Sequence, residues 1–146
     1  MPRLTINDAA PGAYQAVLGM EIYSRQHNDP VLYELVKLRA SMINGCAFCV
    51  DMHCVDARKA GEHERRIFAV AAWRESPFFD ERERAALALT EAMTRLSDGG
   101  VPDDVYEAAA DAFTEDELGN LMGVIIAINA WNRVAVATEL QPPELT

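Results

Sequence analysis

The 146-residue chain is poor in positive charge: 13 Lys and Arg stand against 23 Asp and Glu, for a formal net charge of −10. Nucleic-acid binding draws on clustered cations that displace condensed counterions. Here the basic residues are scattered, so no nucleic-acid partner is expected. Long apolar runs are missing too. The most apolar stretch, Leu121 to Ala130, falls short of the ~20 residues a membrane-spanning helix needs and contains Asn129. No membrane association is expected. The start Met1-Pro2-Arg3-Leu4 lacks a secretory apolar region, which points to a cytoplasmic location. No segment keeps the period-two, β-branched pattern of a strand, and there is no internal repeat, low-complexity tract or interdomain linker. Cysteine is scarce: three residues, all between positions 46 and 54. An odd, clustered set in a cytosolic chain is no structural disulfide framework and suggests redox chemistry or metal binding.

What is present reads as helix. Half the residues are hydrophobic and a quarter are charged, the balance of a globular protein. We expect one all-α domain over residues 1–146, with about six to seven helices, a core over about 11–138 and a C-terminal tail at 139–146. Residues 12 to 27 form a helix with Tyr14, Val17, Leu18, Ile22 and Tyr23 inward. Asp29-Pro30 supplies a cap and a first-turn proline for a helix to Met42, with Val31, Leu35, Leu38 and Met42 on one stripe. Asn44-Gly45 breaks it. A helix then starts near Cys46 and runs to Lys59, and another spans about Glu62 to Trp73. Asp80 with Glu83, and Thr114 with Glu117, are capping-box patterns. The first opens a helix ending at Gly99-Gly100, and the second opens the longest helix, to about Thr138. Pro102 starts a short helix between them, to about Phe113. The tail from Gln141 to Glu144 is expected to fray.

The densest chemistry lies in Cys46-Ala-Phe-Cys49-Val-Asp-Met-His53. On a helix turning ~100° per residue, Cys49 lies ~60° from Cys46 and His53 falls between them, so all three share a face. Such a set can serve redox chemistry, a metal site or a nucleophile. If Gly45 ends one helix and Cys46 begins the next, the thiols occupy a first turn, where the helix dipole favours a thiolate. His53, one turn past Cys49, is placed to accept its proton. Glu34 lies ~18 Å from Cys46 along a straight helix axis. The break at Asn44-Gly45 lets it fold back toward His53 and orient the imidazole.

The stretch from Glu34 to His53, with its Glu-x11-Cys-x2-Cys-x3-His spacing, resembles the core motif of the AhpD-like alkylhydroperoxidases of the carboxymuconolactone decarboxylase superfamily. Phe79 to Leu87 and Ile128 to Arg133 resemble the single-domain branch. The resemblance implies a helical fold that assembles as a dimer, trimer or hexamer. It also implies thiol-dependent reduction of a hydroperoxide. On this reading Cys49 is the peroxidatic thiol, Cys46 resolves its sulfenic acid into a disulfide, and His53 and Glu34 form the proton relay. A dithiol reductant, a lipoyl-type or thioredoxin-like partner, restores the pair. No cofactor and no metal are expected. Two departures stand out: Phe48 occupies the place of a second histidine, and the chain carries one helical unit rather than two.

Competing readings are a muconolactone-type lyase, a branch that lacks the CxxC, and a non-enzymatic redox-sensing or metal-binding module. For a metal, Cys46, Cys49 and His53 would be joined by Cys54 or His63. Cys54 is read as a packing residue, and His27 and His63 as surface residues. Asn129, Trp131, Asn132 and Arg133 interrupt an apolar helix and are read as braces or a subunit contact. Glu81-Arg82-Glu83-Arg84 is read as a solvated face.

Overall fold

A computed structural model describes all residues 1–146, as eight α-helices and two short 3-10 turns with no strand. The helices are α1 (Ile6–Ala9), α2 (Pro11–Gln26), α3 (Pro30–Asn44), α4 (Ala47–Lys59), α5 (Glu64–Ala69), α6 (Glu81–Thr94), α7 (Asp103–Ala112) and α8 (Glu115–Ala137). The all-helical class is as expected. The additional helix is the short α1.

α3 is the axis of the fold. Asp29 caps it, its carboxylate accepting from the Leu32 N–H at 3.0 Å, and Pro30 fills a first-turn position with no donor to lose. The helix is buried on several sides and contacts α4, α6 and α8. Its two main faces feed separate apolar clusters. Val36 joins Leu89, Phe113, Leu121 and Ile125, between α3, α6, α7 and α8. Leu35 and Leu38 join Ala57, Ile67, Trp73 and Leu87, against α4 and α5. Burying each such leucine contributes about 1.5–3 kcal/mol. Both capping boxes are formed, by Asp80 with Glu83 and by Thr114 with Glu117.

Several local expectations change. On α2 the buried residues are Glu21 and Ser24, while Ile22 and Tyr23 turn outward. Val31 is exposed too, because α3 buries the neighbouring Leu32 and Tyr33 instead. The helix expected over 62–73 begins at Glu64, capped by His63, and tightens into a 3-10 turn at Val70–Ala72. α6 stops at Thr94, and a 3-10 turn precedes Gly99, whose φ of 126° only glycine adopts without strain.

In the 81–84 run Glu81 and Arg82 are exposed, as expected, while Glu83 and Arg84 are half-buried, and the run bonds across to other elements. Arg66 bonds Glu83, Arg84 donates to the carbonyls of Trp73, Arg74 and Ser76, and Arg82 reaches Ala112 and Glu117. α8 has 23 residues and is long and apolar enough to cross a membrane, which residues 121–130 alone did not suggest. Here it packs along α2 and α3 and buries Leu121, Val124, Ile125 and Ile128.

Candidate active site

Gly45 creates the site. Its φ of 65° is left-handed, and the Cys46 N–H closes the end of α3 on the Ser41 carbonyl at 3.0 Å. The chain therefore reverses between α3 and α4 within two residues. The reversal is held by an amide ladder. Asn44 donates to the side-chain oxygens of Asn129 and Asn132 at 3.0 and 2.9 Å, and Asn132 donates to Ser41 Oγ at 3.0 Å. The asparagines of α8 thus brace the junction that positions the thiols.

Cys46 is the N-cap of α4, its Sγ accepting from the Cys49 N–H at 3.2 Å. Cys49 follows in the first turn, and the two sulfurs form a disulfide. Both cysteines are 2% exposed and pack with Ala135 and Phe48. Opening that bond would leave Cys49 at a helix N-terminus, where free N–H groups favour the thiolate.

His53 is buried one turn beyond Cys49. The reversal at Gly45 brings Glu34 of α3 to it, with Oε2 3.2 Å from Nδ1. A carboxylate on Nδ1 selects the tautomer that carries its proton there and leaves Nε2 as the acceptor. His53 Nε2 is buried and has no partner on the protein. Of the four residues singled out by spacing, Glu34 and His53 thus pair across α3 and α4, and the Cys46–Cys49 disulfide lies one turn before His53.

Cys49 and His53 open into a cavity of about 650 Å³. Phe48 and Met52 of α4 and Trp131 of α8 give it apolar and aromatic walls, with Tyr14 edge-on to Trp131 at 5.3 Å. Its mouth is bordered by both chain ends, residues 2–7 and 138–141. Arg3 joins them, pairing with Glu139 at 2.7 Å and donating to the Ala137 carbonyl at 2.8 Å. Gln141, at the start of the tail, contributes to this border.

Sequence patterns did not single out a buried ionic cluster in the same wall. Lys37 and Glu21 both line the cavity, at 3% and 6% exposure. Lys37 donates to Glu21 Oε1 and, at 2.8 Å, to the Tyr33 hydroxyl, which itself donates to Glu21 Oε1. Arg25 lies 3.7 Å from the same oxygen, while Glu21 Oε2 is buried without a partner. Burial raises the Glu21 carboxyl, but the charge and hydrogen bonds of Lys37, with that of Tyr33, outweigh it and hold it below the ordinary value. Burial, then the Glu21 carboxylate, push the Tyr33 hydroxyl up. The available signal was a lysine set among Leu35, Val36 and Leu38, four residues after a tyrosine.

Asp56, one turn past His53, also escaped notice. Ligand atoms of Glu34, His53 and Asp56 lie within 4.8 Å of one another. In the proposed cysteine-based metal set, Cys46 and Cys49 are joined in the disulfide. Cys54 is half-buried against the Leu35–Leu38 cluster, and burial, then Asp51, push its thiol up. His27 and His63 are exposed.

Comparison with known proteins bears on this geometry. The family model for carboxymuconolactone decarboxylases matches residues 9–92. The uncharacterized protein YdfG of Bacillus subtilis is 40% identical over 136 residues, covering 92% of each chain. Alkyl hydroperoxide reductase AhpD of Solibacter usitatus is 38% identical over 58 residues, 40% of this chain and 33% of its own. A crystal structure from Agrobacterium tumefaciens, of a protein of unknown function provisionally called an antioxidant defence protein AhpD, superposes with a TM-score of 0.94 at 40% identity. That match covers 99% of this chain and all of the other.

Proposed function

The chain is an AhpD-like member of the carboxymuconolactone decarboxylase family, and from that premise we propose that it is a thiol-dependent peroxidase. One observation carries the reading. A disulfide at a helix start shares an apolar cavity with a histidine whose Nδ1 is held by a carboxylate and whose Nε2 is free.

The cycle balances as follows. In the reduced form His53 Nε2 takes the Cys49 proton. The thiolate attacks the outer oxygen of R–O–O–H, so an S–O bond forms and the O–O bond breaks with its electron pair on RO⁻. The proton from His53 converts RO⁻ to ROH, leaving Cys49 as sulfenic acid. The Cys46 thiol then attacks that sulfur, releasing water and forming the Cys46–Cys49 disulfide. A dithiol partner of lipoyl or thioredoxin type reduces it by exchange and leaves as its own disulfide. Glu34 is the positioning residue for the imidazole.

The test is peroxide consumption with a dithiol. Wild type turns over, and Cys49→Ser loses activity by at least about 10³-fold. Equal consumption by the two proteins sinks the cysteine mechanism. Glu34→Gln should slow turnover by about 10–100-fold while leaving the disulfide able to form. The outward Ile22 and Tyr23 of α2 support a homo-oligomer, for which light scattering gives the mass; a monomer at micromolar concentration contradicts it.

A further inference from the structure

The peroxidase cycle uses neither Lys37 nor Glu21, yet both are buried in the cavity wall. Replacing a buried ion pair by apolar residues is often neutral or stabilising, so folding alone does not explain this one. Lysine has three N–H donors. Lys37 places two, on Glu21 and Tyr33, and the third has no acceptor on the protein. The charged residues lining the cavity are Arg3 and Glu139, which pair with each other, and Glu21, Arg25 and Lys37, two cations around one carboxylate. Apart from His53, the lining carries one net positive charge, and the Glu34 carboxylate on His53 offsets it, so it is the spare Lys37 donor rather than net charge that suits an anion. A buried cation fixed by two hydrogen bonds in a cavity wall is a pre-organised donor for an oxygen anion.

We propose that Lys37 binds a negatively charged oxygen in this cavity, with Glu21 and Tyr33 as its positioning residues. Two sources supply that chemistry: a carboxylate carried by the ligand, or the RO⁻ released when the peroxide bond breaks. In the second case Lys37 donates a hydrogen bond and keeps its proton; the proton that completes ROH still comes from His53. Only this second source rests on the peroxidase reading.

The experiment has two arms and two variants. The double variant E21Q/K37M removes the pair without stranding a buried charge, and K37R keeps the cation; urea unfolding verifies that each is folded. In the first arm, calorimetry of the disulfide form compares 4-phenylbutanoate with its neutral amide. Wild type should prefer the acid by about tenfold or more, K37R should keep that preference and E21Q/K37M should lose it. In the second arm, stopped-flow mixing of reduced protein with cumene hydroperoxide follows Cys49 oxidation. E21Q/K37M should slow it about tenfold or more, with K37R restoring most of the rate and the pH dependence of Cys49 alkylation unchanged.

A Lys37-dependent effect in the first arm assigns the carboxylate, and one in the second assigns the leaving oxyanion. No Lys37-dependent effect in either arm overturns the proposal, as does an effect that K37R fails to restore in a folded protein. If wild type does not consume peroxide yet the acid–amide preference depends on Lys37, the peroxidase reading fails and the anion site stands.

Discussion

Two buried carboxylates in this molecule are surrounded by similar partners and differ in how completely those partners satisfy them. Glu91 of α6 is 6% exposed, as is Glu21 of α2. Glu91 accepts from Arg39 at 3.0 Å and from the Trp73 indole at 2.8 Å on one oxygen, and from Arg74 on the other. Both of its oxygens are used, and it lines neither the cysteine cavity nor the small surface pocket beside Phe78. Glu21 concentrates its partners on Oε1, leaves Oε2 empty and faces the cavity beside a lysine with a donor to spare. A closed network that ties α3, α6 and the Trp73 turn together is what a structural ion cluster looks like. An open one in a cavity wall is what a binding site looks like.

The comparison is broken most directly by deleting each cluster. Glu91→Ala leaves Arg39 and the Trp73 N–H without their acceptor inside the fold, and should cost about 3–5 kcal/mol in urea unfolding. Rate per folded molecule should not change. E21Q/K37M should cost no more than about 1 kcal/mol, because no uncompensated charge is left behind. Equal losses for the two would place the Glu21 cluster among the structural ones and remove the asymmetry.

How much of this was legible before the structure depends on where each partner sits in the chain. The α3–α4 junction was legible because its determinants are local: Asn44-Gly45 for the break, a helix start near Cys46 and one helical turn from Cys49 to His53. Glu34 was legible once the break was seen, since the reversal alone brings it back. The clusters were not. Glu21 meets Lys37 across 16 residues, and Arg39 meets Glu91 across 52. Periodicity finds an apolar stripe but cannot say that Glu21 and Ser24, rather than Ile22 and Tyr23, face inward when the inward partner is itself charged. The 81–84 run was only half legible for the same reason. Its arginines answer carbonyls and carboxylates on other elements, and no local pattern records those.

Acid titration tests the same asymmetry more gently. Burial raises the Glu91 carboxyl, but hydrogen bonds from Trp73, Arg74 and Arg39 outweigh it and hold the group below the ordinary 4.5. Glu21 is depressed as well. A carboxyl depressed in the folded state contributes stability that is fully present above the unfolded value and is lost as pH falls through the folded one. Urea midpoints should therefore drop below about pH 4.5, and E91Q should flatten that limb. A midpoint that stays level from pH 6 to pH 3 would contradict the depressed carboxyls.

The smallest effect expected is inside the Glu91 cluster itself. Arg39 and Arg74 both contact Glu91, but the Arg39 side chain is 14% exposed and that of Arg74 is 58% exposed. A cation that stays in water loses little when its partner is removed, because solvent screens the pair and the long side chain regains freedom. Arg74→Ala should thus cost about 0–1 kcal/mol, part of it the lost stacking over Trp73. Arg39→Ala should cost more, since it leaves a buried carboxylate oxygen short of its charged donor. The order of the two urea midpoints decides whether burial of the partner, rather than the number of cations around Glu91, makes that network structural. If Arg74→Ala is the more damaging, the charge that matters lies at the surface, and full satisfaction is the wrong criterion for separating Glu91 from Glu21.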